Sequence, residues 1–393
     1  MNKKVVIVSA KRTPIGKLNG SLQKFSAVDL GTIVTESAIE KIHLPKEEID
    51  QVIFGNVLQA GNGQNVARQI ELNAGAKIES TANTINQVCG SGMKALHNAS
   101  MEIQLGNADI VIAGGTESMS NAPFLNKNIR TEHKLGDISL IDSMQHDALI
   151  DAFSSKHMGI TAENVASKFN ISRKEQDEWA FESNQRAINA EDAGWFQNEI
   201  HPIDIYSRKS NFKMKNDESI YRNSSIEKLN NLKPAFIDNG TVTAGNSSGI
   251  NDGASALILM SEEKANYLGI EPLATIEDYT EIGIDPSIMG YAPYYAIKKL
   301  LSKNKSTVDD IDLFEINEAF ASQTLAVANN LNISKEKLNI AGGAISLGHP
   351  LGDSGARIVV TLINNLKRTQ KHSGVASICI GGGMGMAMKI SVN

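Results

Sequence analysis

The sequence predicts an α/β fold with mainly parallel sheets, built from two similar halves. Three observations carry this reading. Short, continuously apolar runs recur along the 393 residues, and unbroken apolar runs mark strands buried on both faces. Helical patterns lie between the runs. The two ends of the chain also resemble each other. A length of 393 suits two domains with an insertion better than one or three.

The elements follow in order. Val5 to Ala10 reads as a first buried strand, because it is too short for a signal-peptide core and Lys11 and Arg12 follow at once. Further runs lie at 52–57, 108–115, 255–260, 311–316 and 375–383. Met93, Leu96, Ser100 and Ile103 recur at helical spacing, closed by Leu105-Gly106. Val359, Leu362 and Leu366 do the same. Lys367, Arg368, Lys371 and His372 sit near that helix's negative end, with Gly374 as its stop. KEEIDQVIFGNVLQ (46–59) pairs with VDDIDLFEINEAFA (308–321). Asp50 precedes Cys89 by 39 residues and Asp312 precedes His349 by 37. Each stretch leads into small residues, a helix and a strand ending in glycines, so a βαβ-rich half is duplicated.

Residues 121–249 break the pattern, with few strand signals and one strongly charged helix expected over 160–188. A stretch so long and different reads as an insertion carrying function, such as a lid. The expected division is 1–120 plus 250–270 for the first half, 121–249 for the insertion and 271–393 for the second half. Arg208, Lys209, Lys213 and Lys215 form an acid-free basic run. A solvated loop is the first reading and a phosphate-facing edge the sharper one.

Composition narrows the function. Hydrophobic residues at 41% and charged residues at 21% suit a soluble globular protein. A net charge of −6 disfavours nucleic acid as a partner. No apolar stretch approaches the roughly 20 residues that cross a bilayer, and the final KISVN carries no lipidation or peroxisomal signal. The sequons at Asn223 and Asn246 are read as chance. Two cysteines, Cys89 and Cys379, cannot make a disulfide framework, so a reduced, cytoplasmic setting is expected. No ligand spacing suggests a metal, and no P-loop is present.

Four stretches carry chemistry. In QVCGSGMKAL (87–96), Cys89 falls just before a helix whose free N–H groups favour a thiolate. A small buried core residue is the alternative. In NIAGGAISLGHPLGDSGARI (339–358), His349 stands among five glycines, held in a loop by Pro350, where it can take and return a thiol's proton. In SICIGGGMGMAMKISV (377–392), Cys379 ends a strand and is followed by Gly381, Gly382, Gly383 and Gly385. The stretch after those glycines has room for one more strand but not for the helix a dinucleotide motif must open, so they are read as offering backbone N–H groups to a reacting oxygen. AGNGQNVAR (60–68) is a weak glycine match, read as a loop. In EINEAFA (315–321), Asn317 can orient a water or polarise a carbonyl, and Glu318 is a general base or a helix-start carboxylate.

Taken in order, QVCGSGMKA, NEAFA, GGAISLGHPLGDSGAR and CIGGGMG make the chain resemble the thiolase family over essentially its whole length. The resemblance implies the thiolase fold: two βαβαβαββ halves in a layered α-β-α-β-α arrangement with an inserted loop domain. It implies that Cys89 accepts the acyl group, that His349 activates it and that Cys379 exchanges a proton with the substrate's α-carbon. Asn317 would hold a water forming one oxyanion hole with His349, and the N–H groups of Cys89 and Gly381 would form the other. Leu149, His157, Met158, Ala244, Ser248, Met289 and Phe320 match positions around an acyl-pantetheine, and Arg222 sits near one touching the nucleotide end.

His157 before Met158-Gly159 is similar to the biosynthetic branch. The implied activity is therefore acetyl-CoA C-acetyltransferase: two acetyl-CoA condense to acetoacetyl-CoA and CoA, reversibly, through acetyl-Cys89. No cofactor is implied, since coenzyme A enters as substrate. A homotetramer touching near 121–144 is implied too. The alternatives are a degradative 3-ketoacyl-CoA thiolase and, further off, a non-catalytic acyl-CoA- or lipid-binding protein of the same fold.

Overall fold

The computed structural model describes residues 3–131, 134–206 and 211–393. The first half runs β1 Val5–Arg12, α1 Ala27–Lys41, β2 Gln51–Gly55, α2 Val66–Asn73, β3 Thr81–Ile85, α3 Ser91–Leu105 and β4 Ile110–Ser118. The intervening segment carries α4 Met158–Phe169 and α5 Arg173–Asp192, and β5 Asn251–Ser261 then returns to the first half. The second half runs β6 Ala274–Gly283, α6 Ala292–Lys303, β7 Leu313–Ile316, α7 Ala321–Leu331, α8 Leu351–Thr369, β8 Ser373–Ile380 and β9 Met384–Ser391.

Strand order exposes the repeat. The first half pairs β3-β2-β4-β5-β1, and the second pairs β7-β8-β9-β6. Matching positions share a sense. β2/β4 and β7/β8 are parallel, while β4/β5, β5/β1, β8/β9 and β9/β6 are antiparallel. The counterpart of β3 shrinks to one parallel bridge, Phe314 to Leu338. The halves join where Val6 and Ile7 of β1 meet Thr275 and Ala274 of β6, and the two-residue strand Gly16–Lys17 on β5 completes one ten-stranded sheet among the described residues.

The expectation of mainly parallel sheets is therefore corrected. Helices cover both faces, so antiparallel strands are as continuously apolar here as parallel ones. Three glycines join β8 to β9, and so short a link permits only antiparallel pairing.

The layers follow from burial. α1 and α2 pack outside the first half, with Val34, Ala38 and Ile70 against Phe54 and Ile112. α6 and α7 pack outside the second, with Ile297, Leu300 and Val327 against Phe314 and Val375. Between the two halves of the sheet lie α3 and α8, where Met93, Leu96, Val359 and Leu362 meet Val111, Leu257, Ile378 and Met388. This is the α-β-α-β-α layering.

Two glycines let the central helices touch. A Cβ on Gly92 would stand 2.8 Å from the Ala356 nitrogen, and one on Gly355 would stand 2.6 Å from the Met93 nitrogen. That backbone contact brings the N-termini of α3 and α8, which carry Cys89 and His349, to one place.

Other expectations shift locally. The single helix over 160–188 is two helices, because Asn170 turns left-handed at φ +55° and Ser172 starts α5 with a capping box to Glu175. α8 stops at left-handed Gln370, not Gly374. Gly374 lies in β8, where a Cβ would meet Leu362 Cδ1 at 2.8 Å. Of the basic run, Arg208 and Lys209 lie outside the described residues. Lys213 sits in a hairpin, paired with Asp204 at 3.6 Å. No described helix is long and apolar enough to cross a membrane.

Candidate active site

The turn before α3 is held in an uncommon shape. Val88, β-branched, adopts φ +46°, a conformation that costs of order 1–3 kcal/mol and persists only when its surroundings enforce it. They do: Val88 N–H donates to Asn86 Oδ1 (3.0 Å), Gln87 N–H to Ser91 Oγ (2.8 Å) and Ser91 Oγ–H to Val88 O (2.6 Å). The result turns Cys89 into a cavity of about 320 Å³ that His349 and Gly381 also line.

Burial pushes the Cys89 thiol up to about 12, while a hydrogen bond from Gly381 N–H pulls the other way. Burial thus favours the thiol, against the thiolate that the helix terminus favours. Desolvation outweighs the terminus here, so attack needs a base.

His349 shares the cavity with Cys89. Its backbone N–H donates to Asn251 Oδ1 (2.9 Å), and its ring Nδ1 lies 2.6 Å from Ser354 Oγ. Ser354 has one proton and donates it to Pro350 O at 2.8 Å. A hydroxyl that donates there accepts from His349, with the ring proton on Nδ1 and a free lone pair on Nε2. Burial, and then the charge of Arg357, push the imidazole down to about 3, so it is neutral at rest.

Asn317, fully buried, lies with Nδ2 3.5 Å from His349 Nδ1, and its Oδ1 has no partner among the described residues. Cys379, 1% exposed, is the last residue but one of β8. Burial and then the neighbouring Cys89 push its thiol up. The fold thus brings together two cysteines 290 residues apart in sequence.

The expected substrate-side residues are gathered with one exception. Leu149, His157, Met158, Ala244, Ser248, Met289 and Phe320 all line the cavity. Arg222 does not. It pairs with Glu191 and, at 2.7 Å, with Asp192, and it lines a separate cleft with Lys215. The two carboxylates claim its charge.

Glu318 is no free base. It is buried and accepts from Ser183 Oγ (2.7 Å), Asn339 Nδ2 (2.9 Å), Trp179 Nε1 (3.2 Å) and Ile345 N (3.3 Å).

Some residues escaped the sequence reading. Phe236 stacks on His157 at 4.7 Å and meets Phe320 edge-on at 6.3 Å. It comes from a polar stretch without periodicity, so nothing local marked it. Ser354 and Glu117 also went unread. Ser354 lies inside the His349 motif, where the spacing to His349 was the available signal. Buried Glu117 accepts from the backbone N–H groups of Val57 (3.0 Å), Leu58 (3.1 Å) and Gly352 (2.8 Å), tying the loop after β2 to the start of α8.

Known proteins resemble the chain from end to end. Two family descriptions match: thiolase, N-terminal domain, over residues 5–263, and thiolase, C-terminal domain, over residues 270–392. A probable acetyl-CoA acyltransferase of Staphylococcus aureus (strain COL) is 49% identical over 389 residues, 99% of each chain. An acetyl-CoA acetyltransferase of Chromobacterium violaceum is 49% identical, covering 98% of this chain and 99% of its own.

Among solved structures, the Bacillus anthracis acetyl-CoA acetyltransferase superposes with a TM-score of 0.97 at 43% identity. The human mitochondrial 3-ketoacyl-CoA thiolase does so with 0.97 at 44%. Each covers 100% of this chain and 99% of its own. Matched in both its domains and alike end to end to such relatives, the chain belongs to the thiolase family and is an acyltransferase.

Proposed function

We propose that the chain is an acetyl-CoA C-acetyltransferase, condensing two acetyl-CoA to acetoacetyl-CoA and CoA and catalysing the reverse thiolysis. One observation carries the reading: Cys89, His349 and Gly381 line one cavity, and Cys379 packs against Met289 and Phe320 of its wall.

The steps follow from those groups. His349 Nε2 takes the Cys89 proton as sulfur attacks the thioester carbonyl, and the N–H groups of Cys89 and Gly381 hold the oxyanion. The carbon–sulfur bond to CoA breaks, and His349 returns the proton to the departing thiolate. Acetyl-Cys89 remains. His349, neutral again, takes the proton of Cys379, whose thiolate then removes the α-proton of a second acetyl-CoA. The resulting enolate oxygen is held by protonated His349 and by a water on Asn317, whose unpaired Oδ1 suits such a guest. The enolate carbon attacks acetyl-Cys89, and the released Cys89 thiolate recovers its proton from His349. Every proton is accounted for, and no cofactor beyond coenzyme A as substrate is needed.

The short acyl chain rests on size. About 320 Å³ is at the small end of ligand pockets, and Phe236, Phe320 and Met158 crowd it. A degradative 3-ketoacyl-CoA thiolase is the second reading, favoured by the TM-score of 0.97 to the human mitochondrial enzyme of that name. The acyl-chain-length profile of thiolysis tests the choice. Acetoacetyl-CoA should be cleaved best, and equal or better turnover of a long-chain 3-ketoacyl-CoA replaces the first reading with the second.

The assembly we propose is a homotetramer. Supporting it are the exposed Leu135 (96%) and Leu140 (60%) in the 121–144 segment, and the open edge of β3. A cytoplasmic location is proposed from the two unpaired cysteines.

A further inference from the structure

α8 starts beside His349 and carries Lys367 and Arg368 in its last turn, roughly 24 Å away at 1.5 Å per residue. There they meet Lys41 from the end of α1, Lys11 from β1, and Trp195, around a cavity of about 500 Å³. No carboxylate lines it, and none of the four cations is in an ion pair among the described residues. The carboxylate whose charge reaches Lys11 and Arg368 is Glu199, and it is buried and bound to Arg12 at 2.7 Å.

Crowding is visible at Lys11. It donates to Asn198 O at 2.7 Å, and burial and the charge of Lys41 hold its ammonium below the usual lysine range. The Arg368 guanidinium lies 3.4 Å over the Trp195 ring. Helix C-termini alone account for Lys41, Lys367 and Arg368. They do not account for Lys11, which comes from a strand, nor for the convergence of all four on one concave space in a chain of net charge −6.

We propose that this cleft is a second ligand site, remote from the catalytic cavity, that takes a small, multiply charged phosphate anion. Lysine ammonium groups act as point charges toward phosphate oxygens, and an arginine offers a planar donor fork. About 500 Å³ suits a small molecule and not a duplex.

Inorganic pyrophosphate, titrated into the full chain at constant ionic strength, tests this by calorimetry and tryptophan fluorescence. The chain has two tryptophans, and Trp179 is buried against Glu318, so a change with pyrophosphate reports on Trp195. Saturable binding with a Kd below about 1 mM is expected. Exposed Lys41 and Lys367, changed together in Lys41→Glu/Lys367→Glu, should weaken it on the order of ten-fold or more. Lys174→Glu, at a lysine 82% exposed on α5, should not. Four results overturn the proposal: no saturable heat, a double variant that binds like the parent, an equal loss in Lys174→Glu, or a single-stranded oligonucleotide that binds more tightly than pyrophosphate.

Discussion

Burial acts on Cys89 and His349 in opposite directions, raising the thiol to about 12 and lowering the imidazole to about 3. Burial favours the uncharged form of both groups. Alkylation of Cys89 in the free enzyme reads this directly. The thiolate fraction below about 12 grows ten-fold per pH unit, so the rate should climb steadily from pH 7 to pH 10. A plateau near the ordinary thiol value of about 8.5 would show that Cys89 is not buried enough to be held protonated.

In the proposed mechanism Ser354 acts through His349. Ser354→Ala leaves Nδ1–H without an acceptor and frees the ring to adopt the other tautomer. The rate of Cys89 acetylation should fall on the order of 10²-fold, with KM little changed. An unchanged acetylation burst removes Ser354 from this role. Cys379→Ala separates the two half-reactions: Cys89 should still acetylate, and condensation should be lost. Retained condensation would take the α-proton step away from Cys379.

Among the elements, α3 and α8 matter most, because their contact at Gly92 and Gly355 sets where Cys89 and His349 meet. Gly355→Ala puts a methyl 2.6 Å from backbone that cannot yield as a side chain would. It should cost about 1–3 kcal/mol of stability and depress turnover too, since the helix starts move apart. Gly106→Ala is the contrast. Gly106 caps α3 at φ +78° with nothing within 4 Å, so a cost of about 1 kcal/mol from backbone strain should leave turnover intact. Denaturant midpoints and turnover measured on both variants check the pair, and equal loss of turnover in both would refute the helix-contact argument.

The elements also show what was legible. Apolar runs disclosed most strands, because burial on both faces writes itself into the sequence. They did not disclose strand sense, which the links decide, nor β3, whose residues Thr81–Ile85 form an exposed edge. Helix starts and stops were legible where Gly106 used a common signal and illegible where Gln370 or Asn170 turned left-handed instead. The cavity residues were legible where motifs carried them. Phe236 and Glu117 were not, since their importance lies in neighbours distant along the chain.

At the scale of the whole molecule, the duplicated halves enclose charge in their common interior. Glu117 and Asp353 are pushed up to about 7 and Glu315 to about 8, in each case by burial. In the unfolded chain all three ionise near 4, so above pH 6.5 the folded state holds more protons than the unfolded one. Stability must then fall as pH rises wherever that difference persists. The histidines act on the other side. His349 at about 3 and His97 at about 4, both lowered chiefly by burial, cost stability as pH drops below the unfolded value of about 6.5. Between pH 6.5 and 8 the unfolded histidines are already losing their protons, and the carboxylates dominate. The urea midpoint should therefore decline steadily across that interval with an unchanged slope of unfolding. A midpoint that is flat or rising there would mean that these carboxylates are ionised in the fold, with charges compensated by partners beyond those described.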